Sequence, residues 1–459
     1  MNYRLIFLII LISITCCRSG SDSSNPTNAE TITPVIVDTD EYFTGGHVTT
    51  RPHNRKVIYH NPSGYWFIFY GNSREGSDGV HRTFWRSSKD GINWSERYTA
   101  YEGNSHSSSL DVVLSEDIIT ASIYRPEYYR KASGIPEIID GKPWHHDSEI
   151  NFSLPYEVTQ YRIDNGMLIP GPIFTAMPGT WRDYNHYGSL TQDTKGFFWI
   201  GSRAVIGGES NPFQARVARS SRVNDISEWE PNHILYNASA AGSLTVQVIA
   251  LDDGKVFTVI FSKSDASILG SLYDPESEIW QTPYVIAEGN NNSKRAVASF
   301  DPGTGRLHLV YVNNSGVLMH KILSTPYREQ DWAPGAGSKS PGTTIVPNVI
   351  ASPNVNDNIS LSIDTSSTPA TLAVAYHKKR PHYFLRFFNG KIWTNEEFRI
   401  GIQESNRFAD EISFIRDFSD KLGLVYYVLP KKNRPGEIHF IEVPKETIIS
   451  GSKSSEAVR

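Results

Sequence analysis

Short apolar runs, each introduced by a turn, recur along almost the whole chain. Seven can be placed, at residues 65–70, 118–123, 197–200, 256–261, 307–312, 372–376 and 422–428. The segments before them, NPSG, LSED, DTKG, LDDG, DPGTG, TSSTP and DFSD, are rich in glycine, aspartate, asparagine and serine. Runs this short, bounded by turn residues and rich in β-branched and aromatic side chains, predict strands, each the second strand of a hairpin. A second hairpin usually follows and often ends in tryptophan, at Trp94, Trp229, Trp280, Trp332 and Trp393. Trp229, Trp280 and Trp332 are spaced by about fifty residues, a period that implies stacked or radial units.

Seven units of four strands predict an all-β fold, a seven-bladed β-propeller of four-stranded antiparallel blades, spanning residues 35–445. One blade alone buries too little, so closing the ring supplies the missing core faces. Residues 33–38 (TPVIVD) are expected to pair with the last blade and close it. Two parallel-sheet domains would need long helical patterns that the chain lacks. The segment SSKDGINW, ending at Trp94, resembles the Asp-box turn of sialidase-like propellers, in which the tryptophan packs between neighbouring sheets. One insertion, residues 126–150, is longer than a normal blade link. It is expected to overhang the face where the first hairpins open.

The termini differ from this pattern. Residues 1–17 read as a lipoprotein-type signal peptide: Arg4 precedes an apolar run too short to span a membrane, and the segment ends in Cys16-Cys17. Either cysteine, Cys17 or Cys16, is the expected lipidation site, and a plain secretory signal is the alternative. Residues 18–34 read as a flexible tether and 446–459 as a disordered tail. The expected protein is exported, a monomer, and held at the bacterial outer membrane, on its periplasmic or cell-surface face, only by an N-terminal lipid. With two cysteines in 459 residues, neither a disulfide framework nor cysteine catalysis is expected. A net charge of −5 argues against a nucleic-acid partner.

Candidate chemistry sits where the hairpins open. Residues 184–203 (YNHYGSLTQDTKGFFWIGSR) form one hairpin with its turn at Gly196, which places Tyr187 and His186 near Arg203. In a propeller the open ends of all the first hairpins ring one mouth. The other blades bring His47, Arg51 and His53, then His106 with Tyr124 and Arg125, and later Lys263, Asn313, His377 and Arg380. The mouth is thus basic in an acidic protein, which suits an anionic ligand. Histidine, tyrosine and arginine together suit elimination from a uronate. Arginine neutralises the carboxylate so that the C5 proton becomes removable, and tyrosine or histidine takes it. Asp111 and Glu116, in the hairpin after His106, form no evident glycosidase pair.

Tyr187 and Arg203, sixteen residues apart with Gly196 at the turn, and His106 opening the preceding blade resemble the seven-bladed propeller uronate lyases of the ulvan and rhamnose–glucuronate type. The resemblance implies His106, Tyr187 and Arg203 as catalytic residues. It implies a uronate-containing poly- or oligosaccharide such as ulvan as substrate, with a 4,5-unsaturated uronate as product. Chain cleavage makes such an enzyme a polysaccharide lyase, and loss of water at a non-reducing end makes it an oligosaccharide dehydratase. Substrate contacts are expected from Arg125, Tyr124, His53, His186, Lys263, His377 and Arg380. Tyr124-Arg125 stands where those families carry a second histidine, for which His145 or His146 is a candidate replacement. No cofactor is required, and no metal ligands are assigned. The alternatives are a propeller glycoside hydrolase of sialidase or rhamnosidase type, with Arg51, Arg125 and Arg203 imitating an arginine triad, or a non-catalytic glycan-binding lipoprotein.

Overall fold

The computed structural model describes residues 31–40, 54–71, 82–102, 110–124, 155–179, 183–207, 211–240, 244–288, 296–334, 342–346, 359–379, 382–395, 397–400, 409–428, 435–444 and 446–448. They form seven antiparallel blades arranged as a β-propeller. The first blade comprises Val57–His60, Tyr65–Gly71, Arg82–Ser88 and Tyr98–Glu102, running outward from the axis. The second comprises Asp111–Ser115, Ile118–Tyr124, Tyr156–Asp164 and Met167–Met177. In the third, Tyr184–Gln192, Phe198–Val205 and Gln214–Arg222 are flanked by a split outer strand, Asp225–Trp229 and His233–Asn237. The fourth and fifth blades, starting at Leu244–Ala250 and Ala296–Asp301, are split in the same way next to Trp280 and Trp332. The sixth starts at Ser360–Asp364 and the seventh at Ala409–Phe414.

The apolar runs of the sequence are the second strands, and they are apolar throughout because both faces of a blade are covered. Val256–Ser262 and Leu422–Val428 are buried at every position. The core is therefore a series of interfaces between blades. One cluster joins Phe67, Phe69 and Trp85 of the first blade to Val112, Ile119 and Tyr161 of the second. Another joins Phe257 and Val259 of the fourth to Leu307 and Leu309 of the fifth. No blade holds its core alone.

Ring closure comes from both ends of the chain. Val35–Asp40 is the outer strand of the seventh blade, antiparallel to Gly436–Val443, as expected from residues 33–38. Asp38 then reaches into the first blade, where its carboxylate accepts hydrogen bonds from Tyr70 Oη at 2.6 Å and Arg97 Nε at 2.7 Å. The seam is aromatic. Trp66 and Trp94 each pack edge-on against Phe440 at 5.0 Å, and Gly423 leaves room for the Trp66 ring. The turn before Trp94 has the form expected of an Asp-box. Asp90 Oδ1 accepts from the amides of Ile92 at 2.8 Å and Asn93 at 2.7 Å. Gly91 supplies the positive φ of 72° that the turn needs. Hydrogen bonds, chiefly from Asn93, hold the Asp90 carboxyl far below its ordinary range. An asparagine version of the same turn, NGKIW at residues 389–393, sits in the sixth blade, and its Asn389 accepts from the amides of Lys391 and Ile392. Residues 446–448, at the start of the expected tail, form a helical turn whose Ile448 packs against the core; residues 449–459 and the signal and tether, residues 1–30, lie outside the described residues.

Between the fifth and sixth blades lies a buried relay. Trp393 Nε1 donates to His320 Nδ1 at 3.1 Å, so the proton of His320 is on Nε2, 3.0 Å from His308 Nδ1. Both imidazoles are neutral: burial lowers His308 to about 4 and His320 well below its ordinary value. The unfolded chain therefore binds protons that the folded one refuses. Stability should fall as pH drops from 6.5 through about 4. Replacing both histidines with glutamine should flatten that part of a pH series of denaturant midpoints, and an unchanged slope would reject the assignment.

Candidate functional site

Each innermost strand starts at one face of the ring and the second strand returns to it, so the open ends of the first hairpins surround one mouth. In the third blade, His186 pairs directly with Arg203, and the register slips between His186 and Ser189, a β-bulge that contains Tyr187 and Gly188. Tyr187 sits in that bulge with φ of 51°, a left-handed conformation that aromatic residues rarely take. Its ring stacks on His186 with centroids 3.7 Å apart, and the Arg203 guanidinium lies 4.5 Å over it. Phe213 covers Arg203 on another side, also at 4.5 Å. All three side chains are nearly buried, with Tyr187 the most accessible at 8%.

The hydrogen bonds fix the protonation of the histidine. Arg203 Nη2 lies 3.0 Å from His186 Nδ1. A guanidinium only donates, so Nδ1 accepts and the neutral ring carries its proton on Nε2. His186 therefore orients the arginine. The cluster presents a phenol and a fixed cation, with the imidazole behind them.

Neighbouring blades hold the bulge in place. Asn54, just before the first blade, donates from Nδ2 to Gly188 O at 2.5 Å. The Tyr156 ring lies so close to Gly188 that any Cβ there would collide with its hydroxyl. Ser189 Oγ bridges to the fourth blade, accepting from Val248 N at 2.8 Å and donating to Val246 O at 3.1 Å. Leu190 N donates to Asp111 Oδ2 of the second blade at 2.7 Å. Four blades, counting its own, thus determine the conformation around Tyr187.

Below the mouth a charge cluster crosses the axis. Asp111 is fully buried and accepts from Arg55 N at 2.5 Å and from Arg416 Nη2 at 3.3 Å. Arg416 comes from the seventh blade and also donates to Leu190 O of the third at 2.6 Å. The residues after it, Asp417–Phe418, pair in parallel with the innermost strand of the sixth blade, as an added strand inside the ring. Burial raises the Asp111 carboxyl, an effect opposed first by Arg416. It lowers Arg55 to about 10.

Of the residues singled out from sequence, the structure brings together Tyr187, His186 and Arg203. Tyr124 ends the second strand of its blade and pairs with Tyr156 on the mouth face, and the insertion expected at residues 126–150 lies outside the described residues. Lys263 is exposed in the turn that follows the second strand of the fourth blade. His377 is buried and tilted against Tyr383, with centroids 3.7 Å apart, inside the sixth blade. Asn313 Oδ1 caps its own turn, accepting from Ser315 N and Val317 N at 3.0 Å. His106, His53, Arg125 and Arg380 lie outside the described residues, as do His47, Arg51, His145, His146, Cys16 and Cys17. Among the described residues no group of three His, Cys, Asp or Glu could hold a metal ion. Sequence reading missed Asn54, Tyr156, Phe213, Arg55 and Arg416. Asn54-Arg55-Lys56 carried a signal, three polar residues abutting a strand that must start at the buried axis.

No family model matches the chain, and no curated protein matches it. Solved structures resemble it in architecture. An unknown-function protein from Dyadobacter fermentans is 12% identical with a TM-score of 0.45, over 89% of this chain and 98% of its own. The polysaccharide lyase Uly1 is 11% identical with a TM-score of 0.45, over 91% and 97%. A Trypanosoma rangeli sialidase is 10% identical with a TM-score of 0.44, over 90% and 60%.

Proposed function

We propose that the protein is a carbon–oxygen lyase that acts by β-elimination on a uronic acid residue of an anionic glycan, at the mouth around Tyr187 and Arg203. The observation that carries this reading is the left-handed backbone of Tyr187, held in a bulge against a cation. Strain of this kind costs ~1–3 kcal/mol and persists where the surroundings over-determine it, which is commonest at functional sites.

The chemistry follows from the groups present. The uronate carboxylate docks near Arg203, whose guanidinium neutralises it and stabilises the enolate that forms when the C5 proton leaves. Tyr187 exchanges protons with the sugar, taking one from C5 or giving one to the departing C4 oxygen. His106, from the preceding blade, is the proposed partner for the other transfer. His186 keeps the guanidinium turned toward the ring. Breaking the C4–O bond and forming the C4–C5 double bond yields an unsaturated uronate. The leaving group is a sugar in a lyase and water in a dehydratase. The insertion at residues 126–150 is proposed to wall the site and favour short chains. Cys17 or Cys16 is proposed to carry a lipid that holds the exported protein at the outer membrane.

Incubation with a panel of uronate glycans should produce ultraviolet absorbance from the conjugated product, with mass spectrometry separating chain cleavage from loss of water. Tyr187→Phe should lower turnover by ~10²–10⁴-fold, the usual contribution of a proton-transfer group, while glycan binding persists. Products that gain water without absorbance would instead mean hydrolysis. Unchanged binding with no turnover by the wild type would mean a glycan-binding protein. In cells, replacing both cysteines with serine should move the protein from the membrane fraction to the soluble one, and retention on the membrane would reject the anchor.

A further inference from the structure

The face opposite the mouth carries a partly open recess. All the turns that join first to second strands end there, and all of them lie within the described residues. Between them, below the Asp111 cluster, is a cavity of about 460 Å³, within the ~300–1,000 Å³ usual for small-molecule sites. All seven blades contribute to it, among them through Tyr59, Thr191, Phe300, Ser299, Arg416 and Asp417.

Two polar groups in this cavity have no hydrogen-bond partner among the described residues. Ser299 Oγ is one, in a residue only 5% exposed. The Asp417 carboxylate is the other; it is near Arg416 and Arg55 and forms an ion pair with neither. Asp417 is exposed by area, yet the surrounding protein still raises its carboxyl. Both hold for a group facing a water-filled recess inside the ring. Asp417 projects from the added strand paired with the sixth blade, so its position is set by backbone hydrogen bonds.

Charge and shape restrict the ligand. Arg55, Arg416 and Asp417 line the recess, and Asp111, which pairs with Arg416 just outside the lining, brings the four charges into balance, which favours a neutral molecule over an anion or a cation. Its partnerless groups are a carboxylate that accepts and a hydroxyl that does either, which suits vicinal hydroxyls. Half-buried Tyr59 and Phe300 also line it. Tyr59 packs on Trp66 with Lys421 over its ring and Phe300 packs edge-on with Tyr327, and what remains accessible of the two rings is the aromatic surface for the apolar side of a sugar ring. We infer that this recess is a binding site for a neutral pyranose or a short neutral oligosaccharide, with Asp417 and Ser299 hydrogen-bonding its hydroxyls and Tyr59 and Phe300 facing its ring. The site is separate from the mouth and does not depend on the lyase reading.

The test is titration of the full chain with D-galactose, L-rhamnose and D-xylose, with glucuronate and choline as charged controls, by saturation-transfer NMR and calorimetry. At least one neutral sugar should bind saturably. Asp417→Asn, which preserves shape, and Phe300→Ala should each weaken that binding by about tenfold, the effect of losing one charge-assisted hydrogen bond or one ring contact. Tyr187→Phe should leave it unchanged, which keeps this result independent of any at the mouth. Thermal unfolding of each variant checks that the fold is intact, with Ser299→Ala as the substitute where Phe300→Ala unfolds. The inference fails if no neutral sugar binds below about 50 mM, a concentration at which even weak specific sites fill. It also fails if Asp417→Asn binds like the wild type, or if choline or glucuronate binds there in preference.

Discussion

One buried carboxylate ties the ring together at its axis. Asp111 accepts from the backbone of the first and third blades and from the Arg416 side chain of the seventh, while belonging to the second. Burial raises its carboxyl, an effect opposed first by the Arg416 charge and then by the amides of Leu190 and Arg55, and Val112 N donates to it as well. Removing one partner of such an arrangement typically costs ~3–5 kcal/mol, because the remaining charges stay buried without compensation. The strands around it are held by apolar faces that would tolerate sliding. Directional bonds to Asp111 set their height along the axis. The bulge at Tyr187, three residues before Leu190, takes its height from the same bonds.

That dependence links the core to the candidate chemistry. Tyr187 is strained, and the three residues that follow it are pinned from other blades: Gly188 by Asn54, Ser189 by Val246 and Val248, Leu190 by Asp111. Strain in a flexible loop would relax. Here it is kept because the ring is closed, and closure rests in turn on Asp38 and the Trp66–Phe440–Trp94 seam. The geometry of the mouth is thus a property of the whole ring.

Much of the fold was legible in the sequence because both faces of each blade are buried. Runs such as residues 256–261 and 422–428 stand out against turns like LDDG and DFSD without any periodicity analysis. The pairing of Tyr187 with Arg203 followed from hairpin geometry alone. The bulge did not, since nothing in YNHYGS marks Tyr187 as left-handed; Gly188, required by the approach of Tyr156, was the visible trace. His186 was expected from sequence as a substrate contact, and its part in orienting Arg203 needed the distance to Nη2. The axial cluster was illegible for a different reason. Asp111, Arg55 and Arg416 are hundreds of positions apart at the extremes, and ordinary polar residues near strand ends give no sign of meeting.

The chain that Arg416 and Asp417–Phe418 lay across the axis has a topological consequence. The ring has a hole in outline but not a passage: a strand and a guanidinium occupy it. A long polymer therefore cannot be threaded through and processed in one direction. Arg416 lines the recess on one face and holds Leu190, behind the Tyr187 bulge, on the other, so the two faces share one side chain across the axis.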